Sequence, residues 1–390
     1  MTSSPSPSPT LTPSLARLLA FAAGAAVANS YYNQAMLGHI AGDFALPGAE
    51  VAAIAALTQL GNAAGVLLLA PLGDRIERRR LILLTLGALV VALVMAAIAP
   101  SFGLLLLSSL CVGIFATVAQ QIVPLAVHLA PADRKGSVLG TVTGGILTGI
   151  LLARTASGII SDLASWRVVF LLAAGLMLLT GVLLARRLPK VTPTTYIGYG
   201  ALMASLIRLV AAHRALRRAT LSQCLVFAAF MAFWSSIALE LHSERFGLGS
   251  TAVGLLALVG ASGAVAAPLA GRLADRRGAG RVAMLGMLLA ALAFALLGIT
   301  EGSIVALVAA TLMLDVAVQT SQIANQSVVY VIDPSARSRL NTIFMTAMLA
   351  SGAIGSSAGA LAWSHFGWRG VCAFGAAAAL AGAVLAARRG

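Results

Sequence analysis

Residues 81–132, LILLTLGALVVALVMAAIAPSFGLLLLSSLCVGIFATVAQQIVPLAVHLAPA, contain no Asp, Glu, Lys or Arg. A helix crosses the hydrocarbon of a bilayer in about 20 residues, so this stretch is long enough to cross twice. Further uncharged stretches lie on both sides of it, over 18–42, 51–73, 219–239, 246–271 and 340–368. Of the 390 residues 59% are apolar and only 10% are charged, which excludes a soluble fold and predicts a polytopic helical membrane protein.

Divided at charged and Pro/Gly breaks, the chain yields twelve predicted spans, near 15–40, 50–72, 80–99, 102–129, 136–162, 167–186, 219–241, 250–271, 280–299, 303–329, 338–363 and 368–387. The expected organisation is a disordered cytoplasmic tail rich in Ser and Pro over 1–14 and a six-helix bundle over 15–186. A cytoplasmic linker with an amphipathic helix follows over 187–218, and then a second six-helix bundle over 219–390. The net charge of +14 would suggest nucleic acid in a soluble protein, but here it follows topology. All but Arg154, Arg167, Arg245 and Arg369 of the 26 basic residues fall at the two ends of the chain or in alternate connections, which predicts cytoplasmic termini and no nucleic-acid partner. The linker places Arg208, Arg214, Arg217 and Arg218 beside Leu202, Leu206 and Leu209, as expected of a helix lying on anionic lipid headgroups. Cys111, Cys224 and Cys372 all lie inside apolar spans, and no disulfide is expected.

The two halves repeat. Asp74-Arg75 returns as Asp275-Arg276, Phe44-Ala45-Leu46 as Phe246-Gly247-Leu248, Pro131 as Pro334 and Trp166-Arg167 as Trp368-Arg369, at offsets of 201 to 203. Landmarks held at a nearly constant offset argue for parallel repeats related by an axis along the membrane normal.

Polar side chains cluster on four spans. In span 10, Thr311, Asp315, Gln319, Gln322 and Gln326 share one helical face, with Asn325 beside it. Span 4 carries Thr117, Gln120, Gln121, Pro124 and His128, span 1 carries Asn29, Tyr31, Tyr32, Asn33 and Gln34, and span 7 carries Trp234, Ser235, Ser236 and Glu240. Helix–helix hydrogen bonding is the competing role for each Gln or Asn. Asp315 falls about 17 Å into its span, near the midplane, where an ionised carboxylate costs on the order of 2.5–3.5 kcal/mol unless it faces water, pairs or takes up a proton. Asp315, and after it Glu240, are therefore the proton-coupling candidates. Arg154 cannot be neutralised and must find a carboxylate, carbonyls or water. A substrate anion and a structural ion pair with Asp162 or an interfacial group both fit, and Glu240 either serves as such a partner or snorkels to the surface. Glycines in span 5 (Gly140, Gly144, Gly145, Gly149, Gly158) and span 11 (Gly352, Gly355, Gly359) fit close helix packing.

The twelve spans, the central linker and the loop Gly271-Arg272-Leu273-Ala274-Asp275-Arg276-Arg277-Gly278, with its first copy from Ala70 to Arg79, resemble the major facilitator superfamily of secondary transporters. Tyr31-Tyr32-Asn33-Gln34, Leu152-Ala153-Arg154-Thr155 and Arg337-Ser338-Arg339-Leu340-Asn341-Thr342 resemble its bacterial branch of drug, chloramphenicol-like and sugar efflux permeases. Ala35 stands where that branch usually has Pro. A Gly-Pro pair in span 5 and an Arg at position 109, marks of proton antiport in the superfamily, are absent. The resemblance implies that spans 1, 4, 7 and 10 line a central cavity. The substrate-cavity candidates are then Tyr31, Tyr32, Asn33, Gln34, Gln120, Gln121, Arg154, Trp234, Gln319, Gln322, Asn325 and Gln326. Asp74, Arg75, Arg78, Asp275 and Arg276 form the candidate cytoplasmic gate, where carboxylates at helix ends pair with loop Arg residues.

The expected function is alternating-access transport of a small organic molecule, proton-coupled and outward, by a monomer in the bacterial cytoplasmic membrane. Uptake or facilitated diffusion is the alternative within transport, and a membrane enzyme or receptor the alternative outside it. The five His residues are scattered, with no two at metal-ligand spacing, and no nucleotide-binding loop of the Gly-x4-Gly-Lys-Ser/Thr type is present. No catalytic residue, metal or cofactor is expected.

The topology is checked by single-cysteine labelling in a cysteine-free background. Positions 50, 244 and 301 should label from outside and positions 78, 190 and 276 only from inside; external labelling at 190 would overturn the assignment.

Overall fold

The computed structural model describes residues 11–131, 134–190, 198–260, 270, 272–274, 276–333 and 336–387. Most of the expected tail, the Pro131–Arg134 connection in part, Gly271, Asp275 and Pro334 fall outside them.

The N-terminal half begins with α1 (Pro13–Ala28) and α2 (Tyr32–Phe44), followed by α3 (Gly48–Val51), α4 (Ala53–Leu69), α5 (Arg78–Ala97), α6 (Phe102–Ala116), α7 (Val118–Leu129), α8 (Lys135–Leu163) and α9 (Trp166–Arg187). The linker helix is α10 (Tyr199–Ala212). The second half comprises α11 (Arg214–His242), α12 (Ser250–Gly260), α13 (Ala279–Ile299), α14 (Ile304–Ile332) and α15 (Arg337–Ala387). Nine helices among the described residues are long and apolar enough to cross a membrane. The count reaches twelve because span 1 is delivered as α1 and α2, span 8 is described only over Ser250–Gly260 and at residue 270, and α15 is two spans joined at Gly367, whose φ of 59° no helix accommodates.

Local chemistry sets the breaks. Thr12, Ser101, Ser165 and Ser303 each cap a helix by accepting a backbone N–H two or three residues on. The repeated Phe44-Ala45-Leu46 and Phe246-Gly247-Leu248 turns share a left-handed residue, with φ of 51° at Ala45 and 59° at Gly247. Ala45 adopts there what costs an L-residue roughly 1–2 kcal/mol, so the two turns keep one geometry although only the second has glycine.

The basic connections gather at one end of the molecule, and Asp43, Asp162, Glu240 and Glu301 lie at the other. At that opposite end Arg167 pairs with Asp43 at 2.7 Å, Arg369 with Glu301 at 2.7 Å, and Arg245 with Glu240 at 3.3 Å and Glu301 at 3.4 Å. Glu240 is therefore the partner of Arg245 and not of Arg154.

The halves meet where α4 packs on the first part of α15, α8 on α12, and α2 on α11. Exposed Leu84, Val91, Leu172, Leu179 and Leu292 form the outer, lipid-facing surface of α5, α9 and α13. Close approach is made by small residues, since lipid tails supply no hydrophobic force between helices. Gly145 and Gly149 press on the backbone of Ala20 and Gly24 in α1, Gly113 on Thr58, and Gly355 on Ala228. A side-chain carbon placed on Gly140 or Gly144 would meet no neighbouring helix within 4 Å, so these two glycines of span 5, unlike Gly145, Gly149 and Gly158, are not at a close helix contact as expected. The expected outcome is that Gly145→Val, driven into the Ala20 carbonyl, lowers stability by about 1–3 kcal/mol, while Gly144→Val next to it does not. Thermal unfolding of the two purified variants in the same detergent checks this, because both make the same change in helix propensity.

Candidate functional site

Between the halves lies a cavity of about 350 Å³. Its lining comes from the break between α1 and α2 (Tyr31), from α4 (Asn62), from the α6–α7 junction (Thr117, Gln120), from α8 (Arg154), from α11 (Phe227, Phe230) and from α14 (Asp315, Gln319, Gln322, Gln326). The α14 residues fall on one face at intervals of three and four. A cleft at the basic end shares Val66, Gln120 and Met345 with the cavity and is bordered by Arg78 and Arg339 from opposite halves, so the cavity leads toward that end.

Arg154 is the most elaborately held side chain of the cavity. Only 4% exposed, it donates through Nε to Gln34 Oε1 at 2.8 Å. Its guanidinium lies 4.1 Å from the Trp234 ring and 4.9 Å from the Tyr31 ring. Two desolvated aromatic faces are worth about 2 kcal/mol each to a cation, part of what removing the charge from water costs. Nη2 has no hydrogen-bond partner among the described residues, and the side chain lines the cavity. The supposed ion pair of Arg154 with Asp162 is corrected, because Asp162 lies near the far end of the same helix and is engaged elsewhere.

The elements around Arg154 explain the Tyr31-Tyr32-Asn33-Gln34 motif. Span 1 breaks at Asn29, whose amide bonds back to the carbonyls of Ala25 and Ala26, and no proline is needed for the break. Ser30 donates to Asn62 at 3.1 Å and Asn33 to Thr58 at 2.8 Å, fastening the break to α4. Tyr31 and Gln34, one helical turn apart, are thereby both presented to Arg154.

Asp315 stands across the cavity in the other half. Its charge and that of Arg154 act on one another, and its buried Oδ2 has no hydrogen-bond partner among the described residues.

The remaining candidates separate by position. Tyr31, Gln120, Arg154, Gln319, Gln322 and Gln326 line the cavity, and Gln326 is also tied to Tyr330 and Asn341. Gln121 turns to Thr85 at 3.2 Å and borders only the basic-end cleft. Tyr32, Asn33, Gln34, Trp234 and Asn325 are buried between helices, Asn325 donating to Gln223 at 3.0 Å, so their contact with the cavity is indirect. Glu240 lies at the opposite end, away from the cavity. Among the gate candidates, Arg78 donates to the Gly73 carbonyl at 3.2 Å, Arg75 and Arg276 are exposed, and the side chains of Asp74 and Asp275 lie outside the described residues.

The seal at the opposite end was not foreseen. Asp162 at the end of α8 accepts from the backbone N–H groups of Ser250 at 3.1 Å and Thr251 at 2.7 Å, the first donors of α12 in the other half. His39 joins it at 2.6 Å, and the His242 ring of α11 stands edge-on to His39 at 5.8 Å. Asp43, four residues after His39 in the chain, is paired with Arg167 instead. A carboxylate on the unsatisfied N–H groups of a helix N-terminus is a favourable contact, and here it ties one half to the other.

Two six-helix bundles closed at one end over a cavity that carries a stripe of polar side chains and leads to the other end define a membrane transporter. The chain belongs to the Major Facilitator Superfamily, whose family model matches residues 19–318 and 219–389. It is 40% identical to "Uncharacterized transporter YgaY" of Escherichia coli O157:H7 over 96% of this chain and 95% of that one. It is 30% identical to "Probable sugar efflux transporter" of Helicobacter acinonychis over 45% of this chain and 46% of that one. The solved structure of a mutant of the nucleoside transporter NupG superposes with a TM-score of 0.77 at 14% identity, covering 96% of this chain and 98% of that one, and shows the shared fold.

Replacing Asp162 by Asn should weaken the seal. With spin labels at positions 42 and 244 in a cysteine-free background, the variant is expected to populate longer distances than the parent; an unchanged distribution would remove Asp162 from the seal.

Proposed function

We propose that this chain is a secondary active transporter that exports a small organic molecule from the bacterial cytoplasm in exchange for protons, working as a monomer by alternating access with both termini inside. The observation that carries the reading is Asp315. It is a carboxylate deep in span 10 that lines a cavity shared by both halves and faces a permanent cation supplied by the other half. A group so placed is free to exchange a proton with whichever side the cavity meets, because neither a structural ion pair nor a helix cap consumes its Oδ2.

With the basic end assigned to the cytoplasm, the conformation is inward-facing, and the Asp162–α12 contact is the outer gate. Release of that contact, with closure of the Arg78–Arg339 cleft, would turn the cavity outward. Arg75, Arg78 and Arg276, with Asp74 and Asp275, are assigned to the inner gate. Asp315 would then gain its proton outside and lose it inside, and the cargo would travel the other way. The efflux relative in Helicobacter supports the direction. A gradient of one pH unit supplies about 1.4 kcal/mol per proton, a tenfold cargo gradient for one-to-one exchange.

The test is reconstitution into liposomes with an imposed pH gradient and an unbiased set of small metabolites. Asp315→Asn is expected to abolish gradient-driven movement while retaining downhill exchange, since it keeps the shape and loses the titration. Full gradient-driven accumulation by the variant would eliminate Asp315 as the coupling group.

A further inference from the structure

The cavity presents two opposite charges, each with an unsatisfied atom. Arg154 lines it from the N-terminal half and Asp315 from the C-terminal half, and the buried Nη2 of the one and Oδ2 of the other have no hydrogen-bond partner among the described residues. Arg154 is held by Gln34, Tyr31 and Trp234, so its guanidinium keeps a fixed orientation at the cavity wall and is not on a swinging stem. The planar guanidinium suits a carboxylate, to which it can give parallel hydrogen bonds. Beside the charges the wall is apolar and aromatic, with Phe227, Phe230, Met348 and Leu349 on the C-terminal side and Ile150 and Leu151 on the other.

We propose that the cargo is an amino-acid-like zwitterion with an apolar side chain, its carboxylate held by Arg154, its ammonium group by Asp315 and its side chain by the Phe227–Phe230 wall. This assignment rests on the transport reading above and gives it a cargo class. The deciding argument is charge balance in a poorly hydrated site. A monoanion on Arg154 would leave the Asp315 carboxylate without its compensating cation, and a monocation on Asp315 would leave Arg154 without an anion. Either outcome strands a buried charge. A neutral polyol would satisfy the glutamines but desolvate both ions without replacing their partners. A zwitterion pairs both at once and leaves the occupied cavity with no net charge. It also explains exchange, because the cargo's ammonium group and the proton compete for the same carboxylate, so that one is bound only when the other has left.

Isothermal titration of the purified full-length protein tests this with four probes, subtracting the heats with empty detergent micelles: L-phenylalanine, 3-phenylpropanoate (no amine), 2-phenylethylamine (no carboxylate) and D-glucose. L-Phenylalanine is expected to bind at least tenfold more tightly than each of the other three. Arg154→Gln should erase the preference over 2-phenylethylamine, and Asp315→Asn the preference over 3-phenylpropanoate. Should Arg154→Gln fail to fold, the isosteric Asp315→Asn decides alone. Equal or tighter binding of a singly charged analogue or of glucose, or no saturable binding of L-phenylalanine, would overturn the assignment. Counterflow of L-phenylalanine in proteoliposomes separates the two readings: zwitterion selectivity without any response to a pH gradient would uphold the cargo class and overturn proton exchange.

Discussion

A guanidinium keeps its proton at any physiological pH, so a chain that carries Arg154 inside a membrane has to solvate it with protein. Much of the inner architecture follows from that requirement. The Nε–H is taken by Gln34 and the guanidinium lies over the rings of Tyr31 and Trp234, which draws α2, α8 and α11 into one cluster spanning both halves. Tyr31 and Gln34 reach this cation from just after the break in span 1, which Asn29, Ser30 and Asn33 make and anchor. The hydrogen bonds of this cluster are made where the alternative is an unpaired polar group in hydrocarbon, so each also fixes the register of the helices it joins.

The ends of the molecule are governed by different chemistry. At the basic end Arg residues border an open cleft, where water can solvate them. At the opposite end nearly every charge named here has a partner: Asp43 with Arg167, Asp162 with His39 and the start of α12, and Glu301 with two arginines. Most of these bonds stay within one half and stiffen it. The contact of Asp162 with Ser250 and Thr251 crosses between the halves, as do the small-residue contacts of Gly158 with Ser250 and Gly254 with Thr155. These few directional bonds and close-packed glycines, with the His39–His242 ring contact beside them, form the interface that has to separate when the opposite end opens.

The sequence by itself determined the class. Hydropathy fixes the spans because a backbone in hydrocarbon must satisfy its hydrogen bonds within a helix, and the 201–203-residue repeat of boundary motifs fixes two equivalent bundles. The one-face stripe of Asp315, Gln319, Gln322 and Gln326 was legible for the same reason, since helical periodicity places those side chains together whatever they meet. Which other polar residues reach the cavity was decided only by the tertiary structure. Asn325 shares span 10 with the stripe but turns to Gln223. Asn33 and Gln34 serve a break and a cation. Glu240 belongs to Arg245, and Asp162, near the end of the helix that holds Arg154, bonds to a helix start 88 residues further on. Pairings of this kind depend on the rotation of each helix about its axis and on which bundle faces it. Both are set by the packing of small residues across interfaces, which a one-dimensional pattern of polarity does not encode.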